Sequence, residues 1–221
     1  MALRLPWLDE NSLDFPPLDS ALRHPDGLLA AGGDLSTPRL LEAYRRGIFP
    51  WYSEGEPILW WSPDPRTVIF PGQLHRSRSL DKFLKHQPFT YSRNQAFNEV
   101  MAACAAPRAG QQGTWITAEM SQAYGALHRQ GHAQSLECWQ DGILVGGIYG
   151  VVIGKCFFGE SMFSRAPNAS KAALVALDEH LLEQGFLLLD CQVSSPHLLS
   201  MGAREIPRRE FVRWLERGIH G

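Results

Sequence analysis

The sequence predicts an α+β fold: a small N-terminal α/β domain over residues 1–64, then a larger domain over residues 65–221 with a mostly antiparallel sheet flanked by helices. Three observations predict it. Residues 134–160 read as three strands joined by short turns, with hairpin signals at Gln140-Asp141-Gly142 and Gly154-Lys155. Around them the order is helix, meander, helix, strand, which segregates strands from helices instead of alternating them. The first stretch differs in composition, rich in Pro, Gly and Trp, and closes at Ser62-Pro63-Asp64-Pro65, a boundary signal.

In chain order, Gly32-Gly33-Asp34 marks a turn, and Ser36-Thr37-Pro38 starts a helix with a hydroxyl cap and Pro at its first position. Leu40, Leu41 and Tyr44 form its apolar side and Gly47 ends it. Phe49-Pro50-Trp51-Tyr52 and Leu59-Trp60-Trp61 fit either a satellite core or a stacking platform for bases. Arg66 to Phe70 and Phe89 to Ser92 are short strands, with a short helix from Ser79 to about Lys85 between them. Ser92-Arg93-Asn94-Gln95 has capping-box spacing before a helix to about Cys104, and Pro107 to Gly113 is a loop. Thr117 caps a further helix, which Gly131 ends. Strands follow at Gln134–Trp139, Ile143–Ile153 and Cys156–Glu160. A helix from Ser170 to Gln184, capped by Asn168 or Ser170, presents Leu174, Leu177 and Leu181 on one side. The apolar strand Phe186 to Val193 and a helix from about Pro207 to Arg217 complete the chain.

The 221 residues carry a net charge of −2, which gives no general affinity for nucleic acid, but the cations cluster. His75, Arg76, Arg78, Lys82 and Lys85 form one group, and Arg204, Arg208, Arg209, Arg213 and Arg217 another. Either is a solvated, ion-paired surface or a phosphate-binding face. No apolar run reaches the ~18 residues of a membrane span, and the N-terminus lacks a signal-peptide pattern. Cys104, Cys138, Cys156 and Cys191 have no C-x-x-C spacing and read as reduced thiols of a cytoplasmic protein. His128 and His132 are separated by the helix-ending Gly131, so no metal site is expected. Phosphate-binding glycine loops and the G-x-S-x-G elbow are missing.

Three polar residues strain against their surroundings. Glu160 follows the apolar Cys156-Phe157-Phe158, while Asp190 and Gln192 interrupt an apolar strand. Buried polar groups are costly unless satisfied. Strand alternation puts Asp190 and Gln192 on one face, as a site or as a structural network.

At this point the chain resembles the leucyl/phenylalanyl-tRNA–protein transferases, bacterial enzymes of the N-degron pathway. The matching segments run in order along nearly the whole sequence: Gly27 to Leu35, Ala43 to Trp51, Leu59 to Arg66, Gly113 to Thr117, Gly146 to Gly150, Gly159 to Ser164, Asp190-Cys191-Gln192 and Glu205 to Arg209. The resemblance implies a C-terminal domain like the GNAT acyltransferases. It also implies transfer of Leu or Phe, and also Met, from aminoacyl-tRNA to proteins beginning with Arg or Lys. Where a coenzyme-A-using relative would carry a glycine-rich pyrophosphate loop, this chain has Ser164-Arg165-Ala166-Pro167-Asn168-Ala169-Ser170, with no glycine. No cofactor and no metal are implied.

The reaction is aminolysis of an ester, and an α-amine of pKa near ~8 is partly neutral at pH 7, so positioning supplies much of the rate. On the matching motifs, Asp190 orients Gln192, and Gln192 holds the attacking amine or the oxyanion. Any proton leaves through Asp190 or the tRNA ribose. Glu160 binds the aminoacyl α-ammonium or orients the acceptor amine. The resemblance further implies an aminoacyl side-chain pocket of Ile148, Phe157, Met162, Leu174, Leu177 and Leu189, with the thioether adapting to different guests. Trp51, Tyr44, Trp115 and Tyr124 are implied to stack on the tRNA 3′-terminal adenosine, and Arg76, Arg78, Lys82 and Lys85 to contact the acceptor stem. A monomer is expected. A coenzyme-A-dependent N-acetyltransferase and a non-catalytic tRNA-binding protein are the alternatives.

Overall fold

The structure, a computed structural model, describes residues 5–86, 88–106 and 115–220; the loop expected at Pro107 to Gly113, and the Gly113-Thr114 end of one motif, lie outside them. The N-terminal part holds β1 (Trp7–Leu8), a 3-10 turn at Leu18–Ser20, β2 (Leu28–Gly32), α1 (Thr37–Arg45), β3 (Phe49–Pro50) and β4 (Leu59–Trp61). Its four strands pair in the order β1-β2-β4-β3. The aromatic run is largely core. Trp60 is fully buried, donates its indole N–H to the Gly32 carbonyl at 2.9 Å, and meets Phe15 edge-on at 5.0 Å.

The second sheet is built from β5 (Arg66–Ile69), β6 (Thr90–Arg93), β7 (Ala133–Gln140), β8 (Ile143–Ile153), β9 (Cys156–Ser164), β10 (Leu188–Gln192) and β11 (Arg204–Ile206). The strand order is β11-β5-β10-β9-β8-β7-β6. All pairs are antiparallel except β10 with β9, which run parallel after the crossover through α5 (Ala169–Glu183). The expected mostly antiparallel sheet flanked by helices is thus observed. Also present are α2 (Arg78–Leu84), α3 (Phe97–Ala105), α4 (Ala118–Arg129), α6 (Pro196–Ser200) and α7 (Arg208–His220). Neither α6 nor β11, of five and three residues, was expected from the sequence.

Strand alternation divides the core in two. Val68, Phe158 and Leu188 face a cluster shared with α1, α3, α4, α7 and the N-terminal sheet. Their neighbours Ile69, Phe157 and Leu189 face a second cluster formed with α5 and α2. Gly146 and Gly147 allow both faces to close. A Cβ at Gly146 would meet Ala169 of α5 at 2.8 Å, and one at Gly147 would meet Val100 of α3 at 3.0 Å.

Several caps differ from the sequence reading. Thr117 does cap α4, accepting from the Met120 N–H at 3.2 Å. At α1 the Ser36 hydroxyl makes no capping bond; Asp34 instead accepts the Ser36 N–H at 2.7 Å. The capping box at Ser92 does not form, because Ser92 lies in β6 and bonds the buried Glu137, which also accepts the Ala96 N–H that precedes α3. Asn168 is left-handed (φ 65°) with no side-chain bond, and Ser164 caps α5 by accepting the Ser170 N–H at 3.1 Å.

Candidate active site

Two β-bulges create the site. Along β9, Tyr149 pairs with Ser161 and Gly150 with Gly159, which leaves Glu160 as the extra residue. Along β10, Asp190 pairs with Val68 and Gln192 with Thr67, which leaves Cys191 as the extra residue. Bulges re-aim side chains. Gln192 takes φ 62°, so Asp190 and Gln192 do not share a face as simple alternation predicts. Pairing of β9 with β10 ends at Phe158 and Asp190, and the strands part where Glu160 and Gln192 stand. Gln192 Nε2 donates to Glu160 Oε1 across that gap at 3.2 Å.

Asp190 is fully buried and gripped by an equally buried Arg66, whose Nε and Nη2 donate to its two oxygens at 2.8 and 2.7 Å. The guanidinium lies over the rings of Phe49 and Phe211, at 4.8 and 4.6 Å. Asp190 Oδ1 also accepts the Gln192 backbone N–H at 2.9 Å. Asp190 therefore orients Gln192 through the main chain, pinning its left-handed conformation. The sequence reading included Arg66 in a motif but assigned it no role. A lone cation in an apolar strand, complementary to a lone anion in another, was the available signal.

Glu160 accepts hydrogen bonds from Tyr44 at 2.6 Å and Tyr124 at 3.0 Å, and the two phenol oxygens are 2.5 Å apart. This corrects the sequence reading: both tyrosines are fully buried and have no face open to an adenosine. Burial pushes the Glu160 carboxyl from 4.5 up to about 7; the bonds from Tyr44 and Tyr124 oppose the rise, nearby Asp190 adds to it, and Gln192 opposes it. Burial, then the Glu160 charge, drives both phenols well above their usual range, so they stay protonated. The proton count agrees. Three oxygen–oxygen contacts need three hydrogens, and two phenols supply two. A protonated Glu160 closes the ring by donating to one phenol, which then turns its own hydrogen to the other; an ionised one accepts from both phenols and leaves the contact between them without a hydrogen.

Beside this network opens a cavity of about 370 Å³. Of the expected pocket residues, Ile148, Met162, Leu174 and Leu189 line it together with Glu160 and Gln192. Phe157 and Leu177 do not; they are buried in the apolar cluster. Cys191, Ser194, Ser195, His197 and Leu198 also line the cavity and were missed, because α6 and the chain leading to it carry no periodic signal. Trp51 is exposed and tilted against Trp61, with ring centroids 5.7 Å apart, whereas Trp115 is half-buried against the core. The bond from Tyr52 to Glu119 at 3.2 Å draws these two segments together.

Arg78, Lys82 and Lys85 are exposed on or beside α2. Arg76 departs from expectation: it is tied to Asp81 at 2.7 Å and Glu179 at 2.8 Å, so its charge is locally balanced.

Residues 68–216 match the family described as leucyl/phenylalanyl-tRNA protein transferase, and residues 33–64 match that family's N-terminal domain. Proteins named leucyl/phenylalanyl-tRNA--protein transferase from Pseudomonas fluorescens (strain Pf0-1) and Pseudomonas syringae pv. syringae are each 59% identical over 215 residues. The alignment covers 97% of this chain and 95% and 94% of theirs. Among solved structures, L-PGS from Bacillus licheniformis is similar at TM-score 0.42 and 10% identity, over 73% of this chain and 52% of that one. A GCN5-related N-acetyltransferase from Kribbella flavida is similar at TM-score 0.38 and 10% identity, over 74% and 58%.

Proposed function

The chain belongs to the leucyl/phenylalanyl-tRNA protein transferase family, an aminoacyltransferase acting on aminoacyl-tRNA and protein, and on that premise we propose its donor, its acceptor and the work of its residues. It moves Leu or Phe, and also Met, to the α-amino group of proteins beginning with Arg or Lys, which marks them for N-degron degradation. The observation that carries this reading is the Glu160–Gln192 contact in the wall of a cavity of about 370 Å³ that Ile148, Met162, Leu174 and Leu189 also line. A polar pair capable of holding an amine stands beside a space of the size and lining that suit an unbranched-at-Cβ side chain. Ile148, Met162, Leu174 and Leu189 receive that side chain.

The acceptor amine attacks the ester carbonyl, the carbon–oxygen bond to the ribose breaks, and the 3′ oxygen leaves with a proton. Gln192 orients the amine or the oxyanion. Asp190 holds Gln192 in place through its main chain, and Arg66 holds Asp190. Because Arg66 occupies both oxygens of Asp190, the transient proton falls to Glu160, whose carboxyl titrates at about 7. An arriving ammonium displaces the proton that Glu160 shares with Tyr44 and Tyr124. Trp51 and Trp115 take the terminal adenosine by stacking. Arg78, Lys82 and Lys85 contact the acceptor stem. We further assign a monomeric cytoplasmic protein, with a small domain over residues 1–64 and the catalytic domain over 65–221. No helix among the described residues is long and apolar enough to cross a membrane.

The test mixes purified protein with [³H]Leu-tRNA and either an Arg-initiated or an Ala-initiated peptide. Label on the Arg peptide alone is expected; label on both peptides, or on neither, refutes the assignment.

A further inference from the structure

The second basic cluster takes no part in the site described above. Helix α7 carries Arg208, Arg209, Arg213 and Arg217 against Glu210 and Glu216. Arg209, Arg213 and Arg217 are four residues apart, so they stand in one row, and all three are exposed. They enter no ion pair among the described residues, unlike Arg76. Like charges at this spacing destabilise a helix by ~0.2–0.5 kcal/mol per pair, a cost that Glu210 and Glu216 offset only in part and that a bound anion would relieve further.

A second observation points to the kind of partner. Arg204 lies over Phe70 at 5.3 Å, Phe70 meets Trp214 edge-on at 5.0 Å, and Arg217 lies over Trp214 at 4.6 Å. Two exposed arginines thus flank a pair of half-buried rings along the surface from β11 to α7, a mixture of cations and aromatic rings that suits a nucleic-acid strand. From Arg209 to Arg217 the helix rises about 12 Å, the axial run of about three to four nucleotides of one strand.

We infer that the arginine row of α7, with Arg204, is a second phosphodiester-binding surface that holds the body of the donor tRNA away from the reacting end. The inference rests on the proposed aminoacyl-tRNA donor. It makes two separate demands. Binding of the whole tRNA requires the row, whereas transfer from a donor without an RNA body does not.

The experiment compares wild type with the triple variant Arg209→Gln/Arg213→Gln/Arg217→Gln. Filter binding of Leu-tRNA is measured across salt, and transfer to the Arg peptide is measured from Leu-tRNA and from 3′-leucyl-adenosine. The expected result is affinity weaker by about tenfold or more near 0.1 M salt, a salt slope shallower by about two to three, and unchanged transfer from leucyl-adenosine. Unchanged tRNA affinity and slope overturn the inference. So does an equal loss with leucyl-adenosine, which marks a defect of the fold. Wild-type protein that uses neither donor refutes the proposed function itself, and this inference with it.

Discussion

Glu160→Gln is expected to make the protein more stable while it abolishes transfer. The folded carboxyl titrates at about 7, against an ordinary 4.5, because burial outweighs the hydrogen bonds from Tyr44, Tyr124 and Gln192. Between those two values the folded chain keeps a proton that the unfolded chain has released. Wild-type stability from this group is therefore fully present below 4.5, falls as pH rises, and levels off above about 7. At ~1.4 kcal/mol for each pH unit of the window, the loss is ~3 kcal/mol. A carboxamide has no proton to lose, and its N–H can serve as the third donor of the tyrosine ring. The stability of the variant relative to wild type should thus rise by ~3 kcal/mol between pH 4.5 and pH 8. Urea unfolding followed by tryptophan fluorescence at a series of pH values measures this, since other titrating groups cancel in the difference. Transfer from Leu-tRNA at pH 8 should fall to background. A stability difference that stays flat with pH would refute the reasoning, because Glu160 would then titrate as an ordinary surface carboxylate.

Other substitutions test the remaining links. Tyr124→Phe removes a bond that stabilises the ionised Glu160, so the acid limb of kcat/KM should move upward from about 7, with a several-fold loss at pH 7. That loss follows from the ~1.5 kcal/mol scale of a charged hydrogen bond, and an unmoved limb with the same acceptor peptide would sink the assignment. Arg66→Met strands the buried Asp190 charge and should cost ~3–5 kcal/mol in urea unfolding. The double variant Arg66→Met/Asp190→Leu should recover most of that stability while remaining inactive, because Gln192 loses its main-chain anchor; recovered transfer would count against Asp190 and Arg66 as positioning residues. Leu174→Ala enlarges the cavity and should raise the ratio of Phe to Leu transfer, within the ~1–3 kcal/mol that apolar pockets discriminate. A ratio unchanged from wild type would place the aminoacyl side chain elsewhere.

The sequence by itself determined the fold class, the meander from β7 to β9, the crossover helix α5 and the three polar residues of the site. Each of these depends on a local pattern: period-2 or period-3.6 hydrophobicity, a turn signal, or a polar residue inside an apolar run. Asp190, Gln192 and Glu160 stood out because burying such groups is expensive wherever they lie. The tertiary structure alone decided what they do together. Glu160 and Cys191 are extra residues only with respect to the strands beside them, so neither bulge is visible in its own segment. The same bulges break the alternation that would have set Asp190 and Gln192 on one face. Tyr44 and Tyr124 carry aromatic rings that suit base stacking as well as burial, and only the packing of α1 and α4 against the sheet closes them around Glu160. Arg66 lies 124 residues from Asp190 in sequence, and no periodicity connects them. Burial and pairing are properties of segments brought together, which is why the site residues were legible one by one and their network was not.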